Sequence, residues 1–167
     1  DGDGWLPVGA PGAFGGGAAV LGEIEHRAIR DECRRLAATN EYAINGHENR
    51  ISYLVGPGHT YRATIKKGRD EPHALAEQVQ NLLDEFLLSN HWQRRQQEIV
   101  RRYDRDGEVF LRFFTAGDGA TRVRFVEPGQ VATPASVAAD PTCSFGIRCE
   151  AHDVESPIAY YVDGVSV

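Results

Sequence analysis

The residues in this chain best suited to chemistry fall into a few small groups, and each can be tested against the spacing its chemistry needs. The stretch RRYDRDGEVFLRFF, Arg101–Phe114, gathers Asp104, Asp106 and Glu108 around Gly107, much as a calcium loop does. Such a loop needs oxygen ligands at its first, third and fifth positions, glycine at the sixth and glutamate at the twelfth. With Gly107 at the sixth, Asp104 and Asp106 fall correctly, but the first is Arg102 and the twelfth is Phe113. A cation and a phenyl ring do not ligate calcium. Asp106-Gly107 is therefore expected to turn the chain from helix into strand.

Cys143, Cys149 and His152 form C-x5-C-x2-H. Structural zinc needs four ligands and usually a tighter cysteine knuckle, so no metal is expected. On a strand the two cysteines share parity, and one serves as a small buried residue. NGHENR, Asn45–Arg50, bunches histidine, glutamate and arginine; His47 with Glu48, or His152 with Asp153, has the composition of an acid–base pair. On a helix, however, His47 and Glu48 point about 100° apart, which favours a solvated face with one half-buried histidine. GPGHT lacks the glycine spacings that hold phosphates, and neither G-x-S-x-G nor H-E-x-x-H occurs, so no cofactor and no catalytic residues are expected. The last group is cationic: Arg94, Arg95, Arg101, Arg102 and Arg105. Helical spacing brings Arg94, Arg101 and Arg105 towards one face, within reach of Glu98, Asp104 and Asp106. A salt-bridged surface or a subunit contact is expected there, in preference to a grip on DNA.

The whole-chain balance agrees. Eighteen basic and 24 acidic residues leave a net charge of −6, which argues against a broad basic face for nucleic acid but suits a wall that DNA passes without being held. With 25% charged and 41% hydrophobic residues, the 167-residue chain has a globular profile. No run reaches the ~18 apolar residues that span a bilayer, and the first residues lack the basic region and apolar core expected of a signal peptide. Three cysteines, an odd and sparse set, fit a reducing compartment. The absence of methionine and the strand-like end AYYVDGVSV lead to the expectation of a piece of a longer chain.

Several elements must position these groups. Residues 1–20 are dense in glycine and lack a period, as a flexible arm would; Trp5 and Phe14 are its candidate anchor points on a neighbouring subunit. Residues 21–167 are expected to form one domain. From Glu23, the residues Ile29, Cys33, Leu36, Ala37, Ile44, Ile51, Leu54 and Val55 recur on one helical stripe, broken near Thr39–Glu41 and ended by VGPG. TYRATIKK alternates as a short strand does, and Pro72 suits the first position of a following helix. Leu75, Val79, Leu82, Leu83 and Phe86 give that helix its apolar face; Ser89–Asn90 bends or breaks it, and WQRRQQEIVRRY continues helically. EVFLRFF, TRVRFVE, FGIRCE and IAYYV read as strands, the first two joined across Asp118-Gly119. EVFLRFF is apolar on both faces and is expected to be central and helix-covered, in which case Phe113→Ala would cost ~3–5 kcal/mol. The expected class is α+β: N-terminal helices packed on an antiparallel β meander.

The order of phrases adds something that no single phrase supplies. CRRLAATNEYAINGHENRISYLVGPG, QEIVRRYDRDGEVFLRFF, RVRFVEPGQV and FGIRCEAHDVESPIAYYV follow one another as similar phrases do in the N-terminal part of lambda-type tailed-phage portal proteins. The resemblance runs from about Glu23 to Val162; Arg148 and Glu155-Ser156-Pro157 depart from the family's usual acid and Gly-x-Pro. It implies a non-enzymatic structural subunit, the outer wing region of a homo-oligomeric ring, typically dodecameric, at the capsid vertex of a bacteriophage or prophage. The ring's implied partners are terminase, capsid and head–tail adaptor proteins, with DNA passing through without sequence-specific binding. Its implied location is the virion, after assembly in the bacterial host cytoplasm. No membrane is involved. Trp5, Phe14, Trp92, Arg94 and Arg101 are the candidate subunit contacts. Two competing expectations are a small cytosolic enzyme using a His/acid pair, and a nucleic-acid-binding module using the Arg94–Arg105 helix.

Overall fold

The computed structural model describes residues 21–66 and 73–167. Trp5, Phe14, the glycine-rich segment and Pro72 lie outside these residues. Among the described residues, four helices precede antiparallel strands, an α+β arrangement. The chain divides into two compact units, one holding residues up to Arg34 together with Val126–Val167, the other holding Arg35–Phe125. The first helix, α1 (Glu23–Thr39), contributes residues to both.

In the Arg35–Phe125 unit, helix α2 (Glu41–Leu54) starts where the sequence places a break. Asn40 is extended (φ −100°, ψ 116°), and its side-chain oxygen accepts from Tyr42 N at 2.9 Å and Ala43 N at 3.2 Å. An asparagine that satisfies two orphan amides of the new helix explains why the stripe breaks there. VGPG ends α2, with Gly56 at φ 52° and Gly58 at φ 102°, a region that glycine enters without steric cost. Helix α3 (His73–Ser89) stops at Asn90, and α4 (Trp92–Asp106) stops at Gly107, whose φ of 78° and N–H to Tyr103 O form a left-handed cap. Strands β1 (Phe110–Thr115) and β2 (Thr121–Val126) then form a two-stranded antiparallel hairpin over Asp118-Gly119, where Asp118 Oδ1 accepts from Ala120 N at 2.9 Å.

Two expectations fail in this unit. Tyr61–Lys66 belongs to no strand. Its backbone is bonded instead by the amide of Gln80, which accepts from Ala63 N at 2.8 Å and donates to Tyr61 O at 3.3 Å. The alternation is real, but a helix side chain occupies the place of a neighbouring strand. The second failure is β1, which is not central: among the described residues its sheet has two strands, and Phe113 is 56% exposed. The expected loss for Phe113→Ala therefore falls to about 1 kcal/mol or less, since a half-exposed ring leaves little cavity. A thermal melt of that variant checks the figure. The helical stripes are also more open than their spacing suggests. Ile51 and Val55 are buried, whereas Ile29, Leu36, Ile44, Leu54, Leu75, Val79 and Leu82 are exposed.

In the other unit, β3 (Cys143–Ser144), β4 (Ile147–Glu150), β5 (Asp153–Val162) and β6 (Val165–Ser166) form an antiparallel meander. FGIRCE is only partly strand. Phe145 (φ 51°) and Gly146 (φ 72°) make the two-residue turn between β3 and β4, closed by the Ser144↔Ile147 pair. A one-turn 3-10 helix at Pro128–Gln130 is closed by a reciprocal capping box of Glu127 and Gln130. Glu23 joins the start of α1 to this region: its carboxylate accepts from Thr133 N at 3.3 Å, from the Thr133 hydroxyl, and from Phe145 N at 2.8 Å. His26 packs edge-on against Phe145, with ring centroids 5.5 Å apart.

Candidate functional site

The seam between α2 and α4 collects most of the charged residues that sequence spacing singles out. Arg101 donates to Glu48 Oε1 at 2.8 Å and to Glu98 Oε2 at 2.9 Å. Arg102 donates to Glu98 Oε1 at 2.8 Å. Asp104 takes Arg50 at 3.2 Å and lies 3.6 Å from His47 Nδ1. About one turn of α2 (His47–Arg50) thus meets two turns of α4 (Glu98–Asp104) through opposite charges.

This geometry answers the questions raised by composition. Two acids of the calcium-like stretch are committed elsewhere: Asp104 to Arg50 and His47, and the wholly buried Asp106 carboxylate to a bidentate bond from Arg105 at 2.9 and 2.6 Å. His47 and Glu48 diverge as helical spacing requires, and Glu48 faces Arg101 while His47 faces Asp104. The second pair, His152-Asp153, sits at the β4–β5 turn. Asp153 there accepts from Ser156 Oγ at 2.6 Å and Glu155 N at 3.0 Å, bonds that hold its carboxyl below the usual range and build a local turn. Cys143 is buried opposite Arg148, and Cys149 lies opposite Pro157. Burial raises the Cys143 thiol pKa, so it behaves as a small packed group and not as a ready thiolate. Among the described residues, no group of three His, Cys, Asp or Glu side chains is placed to hold a metal ion, and no helix is long and apolar enough to cross a membrane.

The cationic residues divide by partner. Arg101, Arg102 and Arg105 are paired with carboxylates, whereas Arg94 is exposed at the start of α4. Arg95 donates to Asn90 O at 3.2 Å, and it and Arg102 lie over the Phe125 ring at 5.2 and 4.3 Å from the centroid. Burial and the neighbouring Arg124 both lower the pKa of Arg95. Trp92 is engaged within the unit. Its indole N–H donates to Tyr61 Oη at 3.1 Å, and its ring lies 5.4 Å from Phe86. Tyr61 Oη also accepts from Gln96, whose amide is 3.0 Å from His59 Nδ1; these side chains with Asp84 and Leu88 border a groove of 390 Å³.

The seam makes a pH prediction. Burial opposes ionisation of Glu98, but hydrogen bonds from Arg102 and Arg101 outweigh it, so its carboxyl titrates below the usual glutamate range. A carboxyl with a depressed folded-state pKa stabilises fully above its unfolded value, and that contribution disappears as pH falls through the folded value. Glu98→Gln is therefore expected to lower the melting temperature at neutral pH, and its gap to the wild type is expected to narrow at an acid pH below the usual glutamate range. Paired melts at the two pH values check this.

The residues that sequence reasoning missed are polar joints: Glu23, Gln80 and Asn90. Only Asn90 left a signal, as a short polar residue at an expected helix break. No protein-family model matches the chain, and no curated protein matches it.

Proposed function

We propose that the chain is a non-enzymatic structural subunit of a bacteriophage portal ring, and that the described region is part of the outer wing. The ring is a homo-oligomer at one capsid vertex. DNA enters and leaves through it, and terminase, capsid and head–tail adaptor proteins dock on it. It belongs to the virion and assembles in the bacterial host cytoplasm.

The observation that carries this reading is the collinear order of the four portal-like phrases, and the kind of work their residues do supports it. The first phrase spans the Asn40 cap and the Gly-Pro-Gly turn. The second spans the Gly107 cap and β1. The third holds the Glu127–Gln130 capping box, and the fourth holds the Phe145-Gly146 turn and the β4–β5 hairpin. Each phrase is thus a joint between elements, as expected of a part whose task is to keep its shape. The charged seam fits the same role, because its acids and cations neutralise one another in place of converging on a substrate.

Sequencing the genes on either side of the reading frame tests the proposal. A terminase gene upstream and a capsid protease or major capsid gene downstream are expected. Neighbours that encode a metabolic pathway would count decisively against it.

A further inference from the structure

We infer that the groove bordered by Pro57–Tyr61, α3 and α4 is a binding site for a neutral, polyhydroxylated ring of pyranose size. The inference stands apart from the portal reading. The groove's 390 Å³ falls at the small end of the ~300–1,000 Å³ usual for small-molecule sites, and all of its walls lie in the Arg35–Phe125 unit. One wall is fixed in place. Gln93 donates to Pro57 O, and Gly58 (φ 102°) sits so close to α4 that a Cβ there would meet Gln93 Cγ at 2.9 Å. A preset wall spares a ligand the cost of ordering it.

The polar side chains share hydrogen bonds in a way that fixes which atoms donate. The Tyr61 hydroxyl oxygen accepts from Trp92 Nε1 at 3.1 Å and from Gln96 Nε2 at 2.5 Å, so both its lone pairs are used and its own proton remains to be given. The other Gln96 amide hydrogen meets His59 Nδ1 at 3.0 Å. An amide nitrogen only donates, so Nδ1 is the acceptor and the imidazole carries its hydrogen on Nε2. The border thus offers two donors, Tyr61 O–H and His59 Nε2–H. It also offers acceptors: Asp84 Oδ1 takes Gln80 at 2.9 Å, which leaves Oδ2, and Gln96 keeps its carbonyl oxygen.

That mixture selects the ligand by exclusion. An ammonium or guanidinium has nothing with which to accept from Tyr61 and His59. A phosphate or carboxylate meets Asp84 and, among the described residues, no bordering lysine or arginine. A hydroxyl both donates and accepts, so adjacent hydroxyls on one ring satisfy both sets. The apolar C–H side of such a ring has Trp92 and Leu88 to lie against.

The test titrates the full chain with methyl glucoside, methyl galactoside and methyl mannoside, contact being read by saturation-transfer NMR. Comparison probes are methylguanidine, methyl phosphate, and N-acetylglycine methylamide to represent a peptide backbone. At least one pyranoside is expected to bind saturably, and tighter than all three comparison probes. His59→Ala and Asp84→Ala, both at exposed positions, should each weaken that binding by about fivefold or more. Tyr42→Ala, which removes an 89% exposed ring outside the groove, should leave it unchanged. Circular dichroism verifies that the variants are folded. Because the full chain is used, a groove filled by another part of it reads as no binding. Absence of saturable binding by any pyranoside, equal or tighter binding of a comparison probe, or binding that survives both groove substitutions would overturn the inference.

Discussion

Gly146→Ala is expected to destabilise the unit formed by residues up to Arg34 and Val126–Val167 by about 3 kcal/mol or more, among the larger losses available to a single methyl group. Two effects act together. The residue has φ 72°, where an L side chain costs roughly 1–2 kcal/mol. A Cβ built there lies 2.5 Å from Ala132 N and 2.9 Å from Val131 C, and both are backbone atoms with no rotamer to change. The strain cannot spread easily, because the same turn is bonded on several sides. Gly146 N donates to Thr133 Oγ1 at 3.0 Å, and Gly146 O accepts from Tyr161 N at 2.8 Å. Two other glycines separate the contributions. Gly107 has φ 78° with nothing within 4 Å of a new Cβ, so alanine there should cost about 1 kcal/mol from backbone conformation alone. Gly117 has neither a positive φ nor a neighbour within 4 Å, so its variant should be near neutral, within about 0.5 kcal/mol. Urea melts of the three variants check the ranking, and a Gly146 loss no larger than that of Gly107 would refute the close backbone approach.

The second large effect is expected at Asn90, which is 1% exposed and joins the end of α3 to β2. Its amide donates to Phe86 O at 3.1 Å and Thr121 O at 3.0 Å, while its oxygen accepts from Val123 N at 2.9 Å. Val123 is wholly buried, so Asn90→Ala leaves its N–H without a partner and without water. An unsatisfied buried group costs ~1–3 kcal/mol, and the Thr121 carbonyl is orphaned as well, which gives an expected loss of about 3 kcal/mol. Asn90→Asp restores the acceptor but not the donors and buries a charge, so it should not rescue stability. Denaturation of both variants, together with hydrogen exchange at Val123, tests this. Unchanged protection of that amide would contradict the bridging role.

Which parts of the structure were legible in the sequence follows from the range of the forces involved. Asn40, Gly56, Gly107 and Asp118-Gly119 act on backbone groups within a few residues, so their chemistry marks the joints directly. The Phe145-Gly146 turn was harder to see, because phenylalanine rarely occupies a left-handed position, and FGIRCE reads as continuous strand. Long-range partners leave almost no local trace. Nothing near Gln80 announces that its amide bonds Tyr61–Ala63, and nothing near Glu23 points to Thr133, 110 residues away. The apolar pattern of β1 indicates how much cover the strand accepts, not how much the described residues supply. For the candidate site, helical spacing separated His47 from Glu48, but the pairing of His47 with Asp104 required the fold.

On the portal proposal this chain works only as one part of a ring, and assembly is where that proposal is most exposed to test. Electron microscopy of the complete purified protein, with mass measured by light scattering on the same sample, is the most direct measurement. Closed rings with a central channel and a mass that is an integral multiple of the subunit, about twelvefold in the typical case, are expected. A protein that stays strictly monomeric at high concentration, with no ring in any field, would contradict the portal assignment.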